Sequence, residues 1–202
     1  MCIRDRLEKY NLVNQGISAE MIADKWDISR TELDELGVRS HARALQATEE
    51  GRFEREMVPM TVGDETYMTD QGIRPGTSVE TLAGLKPAFK EDGKITAGNA
   101  SQVSDGAAAV MLMSREKADE LGLKARARIV DTTTVGVDPV IMLTGPIPAT
   151  RKILERNSMG IGDVDLVEIN EAFASVVLAW EKELKPDMDR VNVNGGAIAR
   201  CV

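Results

Sequence analysis

Asn170 and Glu171 stand where the pattern of the chain changes. Before them, Leu166–Ile169 is a short apolar run of the kind that forms a buried strand. After them, an alanine-rich stretch reads as a helix over Glu171–Leu184, closed by Pro186. A strand feeding a helix through a tight turn puts that turn at the strand's carboxyl end, where open α/β sheets bind ligands. Two readings of Asn170 stand side by side. It is a helix N-cap, its side-chain oxygen accepting an orphan N–H of the first turn, or a carboxamide held at the mouth of a crevice.

Other stretches carry chemistry less directly. Thr96-Ala97-Gly98-Asn99-Ala100-Ser101, with Ser104-Asp105-Gly106 after it, is either a glycine-punctuated turn entering a buried strand or a narrow groove. In a groove, small side chains let a ligand approach the backbone. Arg74, in Ile73-Arg74-Pro75-Gly76-Thr77, is either a solvated surface arginine or an anion-pairing group. Met142 reads as a core methionine or a pocket residue. Standard catalytic motifs are missing. There is no P-loop and no Gly-x-Gly-x-x-Gly at a strand end. The single histidine, His41, lies in a charged helical pattern and reads as surface or partly packed, giving no support to a Ser-His-Asp triad or a histidine-rich metal site.

The elements that must position these residues follow from the pattern. Residues 1–50 read as helical. Ser18 caps one helix through Trp26, with Met21, Ile22 and Trp26 on one side. Ser29-Arg30-Thr31-Glu32 fits a capping box, and the helix behind it lines up Leu33, Leu36, Ser40, Ala44 and Ala47 before Gly51 stops it. Residues 51–98 hold seven Gly and three Pro and read as a functional loop or lid. Within them, Phe53–Val58 is a candidate strand stopped by Pro59, Arg74–Thr77 a turn, Ser78–Leu85 one or two helical turns, and Leu85–Phe89 an extended exit. Beyond these, Ala107–Met113 and Ala127–Val135 read as central strands, Ser114–Leu121 and Pro146–Asn157 as helices, and Val191–Val193 as a last strand. From residue 107 the order is βαβαβαβ, which predicts a layered α/β domain.

A chain of 202 residues can bury a sizeable core. Its net charge of −8 argues against a nucleic-acid surface built on bulk electrostatics. No apolar run reaches the length of a membrane span. Met1–Arg6 lacks the apolar segment of a signal peptide, so the expected location is cytoplasmic. Cys2 and Cys201 sit at the extreme ends and suggest no disulfide framework.

Asn170-Glu171-Ala172-Phe173-Ala174, followed by Val191-Asn192-Val193-Asn194-Gly195-Gly196-Ala197-Ile198-Ala199, resembles the thiolases, the acyltransferases that cleave or condense 3-ketoacyl-CoA thioesters. Both motifs occur in the family's order and spacing. The resemblance runs from about Asn11 to Ala199 but covers only the middle of a thiolase. It implies an α/β fold, part of an α-β-α-β-α layered sandwich with a helical loop domain. Residues 1–94 match the loop domain that covers coenzyme A, 95–124 the end of the N-terminal half, and 125–202 the start of the C-terminal half. Asn170 is the implied catalytic residue, holding a water that stabilises the thioester oxyanion. Such donors are worth about 3–4 kcal/mol each in related sites. Ala97 and Ser101 are implied pantetheine contacts, Arg74 a nucleotide contact, Leu85, Ala88 and Phe89 an apolar wall, and Met142, Ala172 and Phe173 pocket residues.

The same resemblance implies coenzyme A as substrate with no permanently bound cofactor, no metal, and a homodimer or homotetramer in the full-length enzyme, acting in fatty acid or lipid metabolism. The family's nucleophilic cysteine, its Gly-His-Pro histidine and its Cys-x-Gly-Gly-Gly motif have no counterparts here, and neither Cys2 nor Cys201 lies in a family cysteine motif. Met1–Arg6 and Arg200–Val202 depart abruptly from the family pattern, as in a piece of a longer sequence. Asn14-Gln15-Gly16 stands where some members carry His-Met-Gly, so short-chain specificity is not implied. The expectation is a thiolase acyltransferase whose 202 residues are inactive alone. The alternative is a non-catalytic thiolase-like protein that binds acyl-CoA or lipid.

Overall fold

The helix Ala174–Leu184 carries no charge over Ala174–Trp180, and those residues are buried without a break. A helical stretch with no charged face must lie inside the molecule. The rest of the fold is packed around it. The computed structural model describes residues 8–200. Met1–Arg6, Cys2, Cys201 and Val202 therefore lie outside the described residues.

Helix α1 is Gln15–Lys25 and α2 is Arg30–Glu49. A short hairpin follows, β1 (Met60–Val62) with β2 (Glu65–Tyr67), then α3 (Val79–Ala83), α4 (Arg115–Glu120), α5 (Pro146–Arg156) and α6 (Ala174–Leu184). Short 3-10 turns lie at Met142–Thr144, Ile161–Asp163 and Met188–Arg190. The core joins Ala19, Ile22 and Ala23 of α1, Leu33 and Leu36 of α2, and the buried face of α6, with Ile95, Ile147 and Ile198 filling between. Trp180 ties α6 to α5 by donating its indole N–H to Thr150 Oγ1 at 3.0 Å.

Several local expectations hold for the reasons given. The Ser29 capping box forms in both directions, and Leu33, Leu36, Ser40, Ala44 and Ala47 are all buried. Gly51 leaves α2 at φ 69°, a conformation glycine reaches at no steric cost. Arg74–Thr77 closes a turn with Gly76 at φ 77°, and Ser78 and Ser114 cap α3 and α4.

Others are corrected. The N-cap of α1 is Asn14, not Ser18, and Ser18 is buried inside the helix with its hydroxyl unpartnered. Met21 points outward while Ile22 is in the core. Phe53–Val58 forms turns, and the hairpin begins after Pro59 with a two-residue Gly63-Asp64 link. Ala107–Met113 and Ala127–Val135 have no regular secondary structure and no strand partner among the described residues, and Val110 is 82% exposed. The strands Leu166–Ile169 and Val191–Val193 shrink to one parallel bridge, Val167 with Val191. The physical reason is common to all four. A strand exists only through a ladder with neighbours, and among the described residues no third strand lies beside these runs.

Candidate functional site

The expected helix start at Glu171 and the N-cap role of Asn170 are both overturned. Helix α6 begins at Ala174, and Phe173 is its N-cap without a side-chain bond. Phe173 is instead extended, and the backbone of residues 172–174 bonds to that of 99–101. Ser101 N donates to Ala172 O at 3.0 Å, Ala174 N donates to Asn99 O at 2.9 Å, and Ala100 bridges Phe173. The carboxamide of Asn170 is thus released from capping. It is exposed and has no hydrogen-bond partner among the described residues.

Buried polar groups on both sides hold that backbone still. Asn192, buried and in the left-handed region at φ 47°, accepts the Ile169 N–H at 2.8 Å and donates to Ile169 O at 2.9 Å. The same amide nitrogen donates to Glu171 Oε1 at 2.9 Å. Glu171 is 2% exposed, and its other oxygen accepts from Ser40 Oγ at 2.6 Å and Ile198 N at 3.2 Å. Ser40 Oγ accepts in turn from Gly196 N at 3.0 Å. A Cβ on Gly196 would fall 2.3 Å from the Glu171 carboxyl carbon, so only glycine fits. Buried carboxylates are tolerated when every lone pair finds a donor. The result is a rigid knot joining α2, the 169–171 segment and the 192–198 loop, from which the neighbouring Asn170 projects.

Ser101 and Ala172 lie side by side through their backbone bond. Phe89 meets Phe173 edge to face, with ring centroids 5.8 Å apart, a favourable aromatic geometry. Phe89 is nonetheless 38% exposed, and Leu85 and Ala88 are also open to solvent. Ala88 N bonds to Ile95 O at 2.9 Å, and the Leu85 side chain lies over Gly98, beside exposed Ala97. Arg74 is exposed and reaches Gln102 Oε1 at 3.2 Å, one residue from Ser101. Arg74, Leu85, Ala88, Phe89, Ala97, Ser101, Ala172 and Phe173 therefore form one connected face. Phe173 is its buried floor. Met142 is exposed on a 3-10 turn that packs against α1 and α6, and among the described residues no hydrogen bond or ring contact joins it to the other members.

The loop that carries Ala97 is itself braced. Glu20 accepts from Lys94 N and Ile95 N, Thr96 N donates to Asn99 Oδ1 at 2.9 Å, and Asn99 Nδ2 donates to buried Asp34 at 2.9 Å. Asp34 is paired with Arg30 of the preceding turn. His41 is buried rather than at the surface, and burial, with Arg74 nearby, holds its imidazole below the ordinary histidine range. Sequence reasoning missed Glu171, Asn192, Glu20 and Gln102 as organisers. A hint lay in Ser40, a polar residue on an otherwise apolar helix face. No cluster of His, Cys, Asp or Glu suited to a metal occurs among the described residues.

Residues 1–116 match the family model for the thiolase N-terminal domain, and residues 123–200 that for the thiolase C-terminal domain. The chain belongs to the thiolase family. An acetyl-CoA acetyltransferase of Syntrophomonas wolfei is 50% identical over 196 residues, 94% of this chain and 49% of that one. A steroid 3-ketoacyl-CoA thiolase of Mycobacterium tuberculosis is 48% identical over 187 residues, 93% of this chain and 46% of that one. The acetyl-CoA acetyltransferase of Bacillus anthracis superposes with a TM-score of 0.90 at 47% identity, covering 94% of this chain and 49% of that chain. The dimeric peroxisomal thiolase of Saccharomyces cerevisiae gives 0.89 at 43% identity, covering 93% and 48%. The chain thus spans about half the length of these thiolases, and its fold is the α/β fold of the family. No helix among the described residues is long and apolar enough to cross a membrane.

Proposed function

We propose that this thiolase chain serves acyl transfer between coenzyme A and 3-ketoacyl-CoA thioesters, with Asn170 at the reacting carbonyl and the connected face around Ser101 against the pantetheine arm. Residues 1–94 act as the loop domain over coenzyme A, 95–124 and 125–202 as parts of the two thiolase halves. Arg74 takes a phosphate or the base, and Leu85, Ala88 and Phe89 supply the apolar wall. Met142 lines the pocket. Coenzyme A is a substrate here, and no resident cofactor is needed. Acyl transfer by this route runs through a covalent acyl-cysteine in two steps, the thiolate first taking the acyl group and a second thiol then removing it. The chain's two cysteines, Cys2 and Cys201, lie outside the cysteine motifs that such a route uses. The chain alone is therefore expected to bind coenzyme A and not to turn over. A homodimer or homotetramer, a place in lipid metabolism and a cytoplasmic location belong to the same proposal.

The observation that carries the reading is the exposed, non-capping Asn170 carboxamide, whose neighbours Ile169 and Glu171 are held by Asn192, two residues from the segment that bonds to Ser101. Calorimetric titration of the purified chain with coenzyme A, alongside an acetoacetyl-CoA thiolysis assay, tests it. Saturable binding without thiolysis is expected. Absence of binding overturns the coenzyme A reading, and measurable thiolysis overturns the statement that the chain is inactive alone.

A further inference from the structure

Arg74 is held at two points. Its guanidinium donates to Gln102 Oε1, and its backbone N–H donates to His41 Nδ1 at 3.2 Å. Gln102 uses its amide nitrogen on Gly72 O at 2.7 Å and Ile198 O at 2.9 Å, so the 72–74 segment is pinned to the 198 loop as well. His41 is 6% exposed on α2 and faces this segment from below. For Nδ1 to accept, it must be unprotonated, with the ring proton on Nε2. Burial and the positive charge of Arg74, the charged group that acts on it, both favour that neutral form.

We propose that His41 is a positioning residue for coenzyme A: its neutral imidazole anchors the Arg74 backbone and so aims the guanidinium at the ligand's phosphates. The inference rests on the coenzyme A reading given above and adds to it a residue that does not touch the ligand. Protonation of His41 turns the acceptor into a donor pointed at another donor. The anchor then breaks and Arg74 loses its fixed position.

The test uses the full chain, titrated with coenzyme A between pH 7.5 and 5, with the variants R74A, H41L and H41N. Asn keeps an acceptor near the place of Nδ1 and does not titrate. R74A is expected to weaken binding roughly tenfold, as for loss of a charge-assisted bond. H41L is expected to weaken it about fivefold, as for one lost hydrogen bond, while H41N stays within about twofold. Affinity of the unsubstituted chain falls more steeply on acidification than that of H41N. A separate readout needs neither ligand nor variant: the Arg74 amide proton resonance moves with the titration of the His41 ring. If R74A weakens binding while H41L and H41N match the parent, or if the Arg74 amide ignores the His41 titration, the His41 inference is wrong and the coenzyme A reading stands. If R74A and the parent bind equally, or neither binds, the coenzyme A reading itself fails and takes the inference with it.

Discussion

Single residues carry the central geometry. Glu171 is a buried carboxylate whose partners are all donors: Ser40, Asn192 and Ile198. Removing it leaves those donors buried and unsatisfied, which costs more than the bonds themselves are worth. Glu171→Ala is expected to destabilise the chain by about 3 kcal/mol, lowering Tm by roughly 6–12 °C in a chain of this size. Gly196→Ala pushes a methyl into the same carboxylate and is expected to cost about 1–3 kcal/mol by overpacking. Thermal unfolding followed by circular dichroism measures both. A change within experimental scatter for either would mean that the knot beside Asn170 is soft. Reading the residues alone singled out Asn170 but left two alternatives open, a helix cap or a free carboxamide, and the structure removes the cap. What decided the matter is tertiary: the pairing of 99–101 with 172–174 keeps residues 171–173 out of the helix, and no local pattern encodes that pairing.

Most element ends marked by a capping side chain or a glycine were legible, the exception being α1, whose cap is Asn14 rather than Ser18. Ser29 with Glu32, Ser78 and Ser114 each mark a boundary through a side-chain bond to nearby backbone, Gly51 marks one by its positive φ, and the structure keeps every one. Strands were not legible in the same way, because Ala107–Met113 and Ala127–Val135 have the composition of strands but no ladder among the described residues. The capping box offers a pH test. The Ser29 backbone N–H, then its hydroxyl, then Lys182 lower the Glu32 carboxyl to about 2. A carboxyl depressed on folding binds protons more readily when unfolded. Its contribution to stability is therefore complete above the ordinary carboxylate range and is lost as pH falls from there toward 2. Glu32→Gln is expected to flatten the acid limb of the stability curve between pH 5 and pH 2 relative to the parent, as measured by denaturant unfolding at each pH. Equal acid limbs would show that the box is not formed in solution.

At the scale of the whole molecule the chain divides into a dense part and an open part. Helices α1, α2 and α6 share one core with Ile95 and Ile198, while Val103, Val110, Met111, Leu112, Ile129 and Val130 lie exposed on unpaired backbone. Exposed apolar side chains on unpaired backbone favour docking or aggregation where they gather into a patch. Proteases cut where backbone is exposed and unbonded. Limited trypsin digestion is expected to cleave first at Lys124, Arg126 or Arg128, which flank these runs, and to spare Arg30 and Arg43 in α2. Early cleavage within α2 would contradict this division. The family and the fold class were legible because two motifs keep their order and spacing. The strand pairing was not, because a ladder depends on a neighbour and among the described residues none lies beside these runs.

The most direct test of the account is an NMR titration of the isotopically labelled chain with coenzyme A. Amide and side-chain resonances of Arg74, Phe89, Ala97, Ser101 and Asn170 are expected to shift together along one saturation curve. Shifts confined instead to the cleft of about 670 Å³ lined by Glu35, Arg39, Glu181 and Lys185, with the Asn170 side chain unmoved, would contradict it.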